Sequence, residues 1–548
     1  MRVLAFVAGL THLHNISILQ KILPEMRFTA MLYEHLSRLV ELPVVKEMGI
    51  EIVLHNSQDV DPALWNPRPH LLYLSTAYPE PYRCRLVREA LLQDVSILAM
   101  QEGNQQANLS GKSTHYMLPV DKVGVISPFE AKGFLDLGFR QKQVVVAGWP
   151  FGSGARPCDG AAASLLKRDL GIGSNEKVAL LILSLLKEKQ IQCFETRRIR
   201  TEMLSFVSEG LPEDIKLVIK PHPADDRAEI SKVIKLCKGS AILMDHKVPI
   251  EEALEISDVV ITRGNSQVMF EVMKRGLPLA VVPLGFPTLF ASELPEVVAR
   301  APAELGSVCR RVMSCVPNYS KVLAKHIPID TADSLEHTAR LFRETAAAPL
   351  KFRRWEKSLD LCLQMKLAGM DALAVEELER LKADGELPAD FSRIPQMLEK
   401  LFSEDAEPDG VSELLNLIGN HKIRGWHIQA LWIRQMYHQK LNRSQVNKGL
   451  PIVQTFTGSV NSHYFIRELL MKMELEFVAG SEEEGNRLRS WFRENYYFWP
   501  PFEKQEMKLR LLKDHKLDLS MMWYWISCGV GRARSVAGIT VKHMWSWG

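Results

Sequence analysis

The chain lacks a long hydrophobic run and also lacks an excess of charge of either sign. No apolar run in the sequence approaches the ~18 residues that a membrane-spanning helix needs. The 548 residues carry a net charge of only +3, whereas dedicated nucleic-acid binders are usually strongly basic. The sequence therefore argues against a membrane-spanning protein and predicts no nucleic-acid partner.

The cysteines form neither a CxxC pair nor a cluster with histidine at the spacing of a zinc site. They are Cys84, Cys158, Cys193, Cys237, Cys309, Cys315, Cys362 and Cys528. A chain of this length builds a large core without disulfides, so we predict reduced thiols and a cytoplasmic location. The N-terminal stretch MRVLAFVAGLTHLHN has one arginine and a short apolar run, which favours a first strand over a signal peptide.

Two series of short, β-rich apolar runs alternate with helical patterns. They are residues 2–8, 50–55, 70–75, 95–100, 122–127 and 143–148, then 177–184, 216–220, 241–245, 258–262 and 279–284. Most runs are apolar throughout, which is typical of parallel strands covered on both faces. The stretch GWPFGSGARPCDGAAA separates the series as a linker. We predict an α/β fold with two Rossmann-like domains, residues 1–155 and 156–345, facing each other across a cleft.

Helix-period segments replace the strand runs towards the C-terminus, so residues 346–548 are predicted to form a mainly α-helical region. Aromatic residues concentrate near its end, in 491–502, 521–525 and 544–548. Tryptophan and tyrosine suit a membrane surface or a sugar ring as well as a helical core. Core packing is the simpler interpretation, and peripheral membrane contact is the alternative.

The stretch KLVIKPHPADD, residues 216–226, places His222 between Pro221 and Pro223 directly after an apolar strand. Ligands of open α/β sheets bind beyond the carboxyl ends of the strands. The prolines restrict the backbone, and an imidazole held there can donate to a phosphate or sugar oxygen. His222 is therefore a candidate phosphate ligand. The alternative is a proline-rich turn with an incidental histidine.

A second strand tip, in DVVITRGNSQVMFEVMKRGLPLAVVP, carries Arg263, Gly264, Asn265 and Ser266 where a helix should begin. Asn265 or Ser266 can cap that helix, and Gly264 lets the backbone approach a ligand closely. Free amides and the helix dipole favour an anion there, most simply a phosphate. Glu271 could accept hydrogen bonds from ribose hydroxyls, or it could lie on a solvated helix face. The two tips together favour a nucleotide site.

These motifs resemble those of glycosyltransferases of the GT-B type, over roughly residues 1–345. KPHP resembles the His-Pro motif of bacterial sialyltransferases, Kdo transferases and CDP-glycerol transferases. RGNSQVMFE is similar to the RAGA-x-T-x-x-E segment of the N-acetylglucosaminyltransferase that makes lipid II. The resemblance implies that His222 contacts the nucleotide phosphate and that Glu271 holds the ribose. It also implies that Asn265 and Ser266 replace a Ser/Thr pair for phosphate.

The first domain would supply the base that deprotonates an acceptor hydroxyl. In sialyltransferase-like enzymes a D/E-D/E-G motif carries the base, usually as its first acid, and this chain reads Gln101-Glu102-Gly103. The same position also resembles the Glu-Ala-Gly stretch of UDP-N-acetylglucosamine 2-epimerase. Glu102 remains the carboxylate candidate, although a solvated strand-end acid is the alternative. GLTHLHN, after the first strand, offers His12 and His14 as competing bases; the alternative is that these loop histidines are structural or solvated.

The sequence predicts a metal-independent glycosyltransferase that needs no cofactor besides its nucleotide-sugar co-substrate. We read DVD at 59–61 as part of a turn-rich loop, and GT-B enzymes as a class do not depend on a DxD-bound metal. The acceptor would be a glycan, a lipid-linked sugar or a protein in surface glycan or glycoconjugate synthesis. The alternatives are a sugar epimerase or a polyol-phosphate transferase on the same fold, and a GT-B scaffold protein without catalysis.

Overall fold

The computed structural model describes most of the chain up to residue 495. The described residues are 1–7, 9–56, 60–75, 77, 80–101, 118–136, 138–151, 160–183, 203–221, 230–231, 234, 241–245, 248–263, 268–283, 293–347, 354–383, 387–419, 421–439, 443–456 and 466–495. All structural statements below concern these residues.

Residues 2–146 contain a seven-stranded parallel sheet with the order β3-β2-β1-β4-β5-β6-β7. Its strands are β1 Arg2–Val7, β2 Arg27–Tyr33, β3 Glu51–His55, β4 Leu71–Leu74, β5 Ser96–Met100, β6 Lys122–Val125 and β7 Val144–Val146. The central strands are apolar throughout because helices cover both faces of the sheet.

A five-stranded parallel sheet follows, with the order β10-β9-β8-β11-β12. Its strands are β8 Lys177–Ile182, β9 Ile215–Lys220, β10 Ala241–Leu243, β11 Val259–Arg263 and β12 Leu279–Val282. In both sheets the chain first adds strands on one side of the starting strand and then on the other. This order is that of a doubly wound, Rossmann-like sheet.

Helices connect the strands and make up the C-terminal region. In the two sheet regions they are α1 Leu10–Ile22, α2 Pro43–Glu47, α3 Pro81–Leu92, α4 Pro128–Asp136, α5 Gly160–Asp169, α6 Ile250–Glu255, α7 Val268–Lys274, α8 Pro302–Ser314, α9 Ser320–His326 and α10 Thr331–Ala347. Residues 203–210 are also helical. The C-terminal helices are α11 Arg354–Leu367, α12 Asp371–Ala383, α13 Ile394–Phe402, α14 Pro408–Ile418, α15 Lys422–His438, α16 Arg443–Gly449, α17 Ile466–Ala479 and α18 Glu482–Asn495.

The predicted fold class is confirmed: the chain is α/β, with two Rossmann-like sheets followed by a mainly helical region. Every apolar run that we assigned to a strand contains one. Strand β2 was missed, because the helix-favouring Ala30, Met31 and Leu32 lie in its run and no turn residues mark its end. Its conformation comes from pairing with β1 and β3 on either side.

The two faces of the first sheet belong to different cores. Val3, Ala5 and Val7 pack with α1 and with Phe342 of α10. On the opposite face, Leu4 and Phe6 share one hydrophobic core with α3 and with the C-terminal helices from α11 to α18. Helix α10 thus returns to the first sheet after the second sheet is complete. The boundaries at residues 155 and 345 remain predictions.

Candidate functional site

Each sheet has one point at which the strand order reverses. In the first sheet it lies between β1 and β4, and in the second it lies between β8 and β11. The chain leaves the two strands at a reversal point towards opposite faces of the sheet. A crevice therefore opens between these two connections at the carboxyl edge.

His12 lies at the reversal point of the first sheet. Strand β1 ends at Val7, α1 begins at Leu10, and His12 lies in the first turn of that helix. The His12 Nδ1 atom is 2.9 Å from the hydroxyl oxygen of Ser75, the residue that follows β4. His12 is 7% exposed and Ser75 is 1% exposed, so this hydrogen bond is shielded from bulk water. The sequence predicted His12 and missed Ser75, whose only signal is a hydroxyl at the end of the apolar run HLLYLS.

His14 belongs to the same helix but has a different environment. Residues two apart on a helix do not share a face, and His14 is exposed whereas His12 is buried. Partial burial and the charge of Lys21 lower the pKa of His14, and the charge of Glu251 raises it. Glu251 belongs to α6, between the strands of the second sheet. His14 therefore lies where a charge from the second sheet region reaches α1, and it does not pair with His12.

Two positively charged side chains are buried at the carboxyl edge of the second sheet. Lys220 is the last residue of β9 and is 4% exposed, and Arg263 is the last residue of β11 and is 1% exposed. Strand β8 runs between β9 and β11. Lys220 is in register with Ile182 of β8, and Ile261 is in register with Leu181. The two cations therefore flank the tip of β8 from opposite faces of the sheet.

Burial weakens the protonated form of both cations. Burial lowers the pKa of Lys220, although the nearby charge of Asp245 acts in the opposite direction. Burial also lowers the pKa of Arg263, to about 10. Arg263 still carries a proton at neutral pH, because a pKa near 10 leaves arginine charged. Desolvated cations at a reversal point favour an anionic ligand. Arg263 was a predicted ligand, whereas Lys220 was not assigned a role.

Glu271 is buried, which excludes the solvated helix face that the sequence left open. It lies in the first turn of α7, is 6% exposed, and follows the fully buried Phe270. Its charge raises the pKa of Lys274, at the end of the same helix, although burial lowers that pKa more strongly. A buried carboxylate close to the tip of β11 can accept hydrogen bonds from a ligand's hydroxyl groups.

Gln101 has a structural role that the sequence did not reveal. Its side chain is fully buried after β5; the amide nitrogen donates to Glu130 Oε2 at 3.0 Å, and the amide oxygen accepts from the Ile126 amide at 3.1 Å. Glu130 is 1% exposed, and its own amide donates to the Ser127 hydroxyl at 3.2 Å. Gln101 therefore holds the β6–α4 turn. A carboxylate at this position would lie against Glu130.

The remaining candidate residues lie outside the described part of the chain. They are Glu102, His222, Gly264, Asn265 and Ser266. The aromatic stretches 521–525 and 544–548, and most of 491–502, also lie outside it. The roles given to them above stay predictions.

Asp61 has a structural role in the loop that contains DVD. It caps the short helix Pro62–Trp65, accepting from the Ala63 amide at 2.9 Å, and Asp59 lies outside the described residues. Within the described ranges, no group of three or more histidine, cysteine or acidic side chains is arranged to hold a metal ion. No helix in that part of the chain is both long enough and apolar enough to cross a bilayer.

No protein-family model matches the chain, and no curated protein matches it. Similar solved structures include the UDP-GlcNAc 2-epimerase from Neisseria meningitidis bound to UDP-GlcNAc, at 12% identity and a TM-score of 0.42, covering 63% of this chain and 100% of that one. HepE from Anabaena, in complex with UDP and glucose, matches at 12% identity and a TM-score of 0.44, covering 63% and 100%. A glycosyltransferase from Rickettsia africae matches at 12% identity and a TM-score of 0.42, covering 63% and 98%. Likeness at these values assigns neither a substrate nor a reaction to this chain.

Proposed function

We propose that this protein is a glycosyltransferase that moves a sugar from a nucleotide-activated donor to an acceptor hydroxyl. The observation that carries the proposal is the pair of buried cations, Lys220 and Arg263, on either side of the β8 tip. A nucleotide sugar presents phosphate charges to such a site. The buried His12–Ser75 pair at the reversal point of the first sheet supplies a candidate base in the other Rossmann-like region.

The donor would bind mainly at the second sheet. Lys220 and Arg263 would stabilise the negative charge that develops on the nucleotide phosphate as the sugar leaves. His222 is assigned to the same phosphate, with Gly264, Asn265 and Ser266 as its backbone and capping contacts. Glu271, buried in α7, would accept hydrogen bonds from the ribose hydroxyls. Because the protein supplies this positive charge itself, we propose a metal-independent reaction, in which excess EDTA leaves turnover intact.

The acceptor would bind at the first sheet. Either His12 or Glu102 would take the proton of the acceptor hydroxyl while its oxygen bonds to the anomeric carbon. A glycan, a lipid-linked sugar or a protein would supply this hydroxyl. A cytoplasmic location, with the C-terminal aromatic stretches in peripheral contact with a membrane, completes the proposal.

One observation favours a second candidate, a GT-B scaffold without catalysis. Gln101 stands where similar enzymes carry their first acid, and its amide is fully engaged inside the protein. In that case nucleotide would bind without turnover. An epimerase, by contrast, would convert the sugar of the donor in the absence of any acceptor.

Nucleotide binding tests the proposal most directly. CMP, CDP, UDP and GDP are screened by thermal shift, because a ligand at ~100 times its Kd stabilises by about 2.7 kcal/mol. Lys220→Met removes one cation, and we expect the affinity for the preferred nucleotide to fall about 10- to 150-fold, as for loss of a charge-assisted hydrogen bond. His222→Ala should lower the affinity about 5- to 150-fold.

The matched control is Lys216→Met on the same strand. Lys216 pairs with Glu176 at 3.4 Å through exposed side chains, and exposed pairs of this kind contribute little. Normal nucleotide affinity in both Lys220→Met and His222→Ala, or an equal loss in Lys216→Met, would overturn the proposed donor site. Chromatography of the sugar products, with and without acceptors, then separates transfer from epimerisation and from binding alone.

A further inference from the structure

We propose that Ser75 is a positioning residue that sets the tautomer of His12, so that His12 Nε2 takes the proton of the acceptor hydroxyl. This inference rests on the proposed function. It starts from the 2.9 Å contact between His12 Nδ1 and the Ser75 hydroxyl oxygen, which is buried at the reversal point of the first sheet. Neither the composition nor the motifs of the sequence assigned a role to Ser75.

The fold fixes both partners independently of each other. Strands β1 and β4 are in register from Val3 opposite Leu71 to Phe6 opposite Leu74, and the Ser75 amide donates to the Phe6 carbonyl at 3.4 Å. The amide of His12 donates to the Gly9 carbonyl at 3.1 Å in the first turn of α1. The strand register and the first helical turn therefore bring the imidazole against the hydroxyl, and neither side chain has to be held by the other.

The identity of the nitrogen in this contact decides what His12 can do. A neutral imidazole carries one N–H, and a serine hydroxyl can either donate or accept. If the hydroxyl donates to Nδ1, the ring proton lies on Nε2, which then cannot act as a base. If Nδ1–H donates to the hydroxyl oxygen, Nε2 carries the lone pair. We assign the second arrangement to the active protein.

The proposed step balances as follows in atoms and charge. The acceptor O–H bond breaks and an Nε2–H bond forms, while the acceptor oxygen bonds to the anomeric carbon. The bond from that carbon to the phosphate oxygen breaks, and its electron pair leaves with the nucleotide. His12 is then an imidazolium whose Nδ1–H still donates to the Ser75 oxygen, and it later releases the Nε2 proton to solvent.

A tautomer measurement distinguishes positioning from a purely structural hydroxyl. Protein labelled with ¹⁵N-histidine reports by NMR which ring nitrogen carries the proton, and His12→Gln identifies the His12 signals. We expect a protonated Nδ1 in the unmodified protein and a shift towards protonated Nε2 in Ser75→Ala. In parallel, kcat should fall about 10-fold in Ser75→Ala, as for loss of one neutral hydrogen bond, with an unchanged KM for the donor. Ser75→Thr keeps the hydroxyl and should restore both readouts.

Ser96→Ala is the matched control, because Ser96 is 2% exposed at the start of β5, on the same sheet but at its opposite edge. It should leave the His12 signals and kcat unchanged. Should Ser75→Ala fail to fold, Ser75→Cys keeps the volume and weakens the bond. An unchanged tautomer and unchanged kcat in the folded Ser75 variants would overturn the inference. A shifted tautomer in a protein that turns over no nucleotide sugar would retain the Ser75–His12 pair and reject the proposed function.

Discussion

Gln101 shows what a buried amide can do that a carboxylate cannot. It donates to the buried carboxylate of Glu130 and accepts from a backbone amide of the next turn. An amide does both, whereas an ionised carboxylate only accepts. A glutamate here would place two carboxylates together in a site shielded from bulk solvent, where ionising both is strongly disfavoured. The amide of Gln101 and the buried carboxylate of Glu130 are therefore two parts of one arrangement.

Gln101→Glu should consequently destabilise the protein in a pH-dependent way. Protonated glutamate mimics the amide, so its pKa in the folded variant should be raised above the unfolded value of about 4.3. Below the unfolded pKa, the stability of the variant should be close to that of the parent protein. It should then fall as the pH rises from the unfolded pKa through the raised pKa of the folded variant. At pH 8 we expect a loss of about 3 kcal/mol, as for an uncompensated buried charge, measured by urea unfolding at pH 5 and pH 8.

The control for this substitution is Gln93→Glu at the exposed end of α3. It adds the same charge without burying it, and surface changes usually stay within about 0.5 kcal/mol, with a similar term from the helix dipole. Equal losses of stability in the two variants, or no dependence on pH for Gln101→Glu, would contradict the role given to Gln101.

The sequence singled out candidate residues whose chemistry is visible in a short motif. Arg263, Glu271 and His12 were chosen because they follow apolar runs, and all three are buried; their roles at a site stay predictions. Ser75 and Glu130 were not chosen, because their roles come from contacts with residues 63 and 29 positions away. Such contacts depend on strand order, and apolar runs do not specify strand order.

At the scale of elements, the sequence predicted least about the connection between the two sheet regions. The sequence showed a linker there, but it did not show that α10 would return to the first sheet and contact the first residues of that linker. The Trp149 amide donates to the Ser334 hydroxyl at 3.1 Å, and that hydroxyl donates to the Asp330 carbonyl at 2.6 Å. Gly148 precedes this contact with a φ of +79°, and a Cβ atom there would lie 2.0 Å from the Ser334 hydroxyl oxygen.

Gly148→Ala should therefore destabilise the protein by more than backbone strain alone. Gly171 offers a matched control, since its φ is +70° and a Cβ atom there would meet nothing within 4 Å. Gly171→Ala should cost about 1–2 kcal/mol, the penalty for a left-handed alanine. Gly148→Ala should cost clearly more, because Ser334 or the crossing backbone must move. Similar unfolding midpoints for the two variants in urea would show that Ser334 moves away from the added methyl group without loss of stability.

At the scale of the whole molecule, the helical region is joined to the first sheet rather than appended to it. One hydrophobic core includes Phe6 of β1 and Trp432 of α15. Charged side chains extend the connection: Arg140, before β7, pairs with Glu356 of α11. Arg424 of α15 binds Asp360 of α11 through two nitrogens, one of them at 3.0 Å. The sequence predicted a helical extension, but it could not predict this shared core, because helical periodicity does not name the surface that an apolar face will cover.

Two histidines of the helical region, the fully buried His427 and the partly buried His421, should make the protein sensitive to acid. Burial holds the pKa of His421 at about 4 and that of His427 at about 3, against 6.5 without burial. Below pH 6.5 the unfolded chain therefore binds protons that the folded protein excludes, so the free energy of unfolding falls as the pH falls. At pH 5 the loss is about 2 kcal/mol for each histidine. Asp360 does not contribute to the pH dependence between pH 5 and pH 7. Burial would raise its pKa, but the charge of Arg424 outweighs burial and holds the pKa below its usual value, so Asp360 is ionised throughout this range.

The measurement is urea unfolding followed by circular dichroism at pH 7 and pH 5. His427→Leu removes one buried titrating group, so the stability difference between the two pH values should shrink by about 2 kcal/mol relative to the parent protein. His438→Gln is the control, since the His438 side chain is 47% exposed and pairs with Glu404 at the surface; it should leave the difference unchanged. If His427→Leu showed the same pH dependence as the parent protein, His427 would have to be protonated in the folded state. The charges of Asp360 and Arg424 would then have to accommodate an additional proton beside the fully buried His427, which the cost of burying a charge opposes.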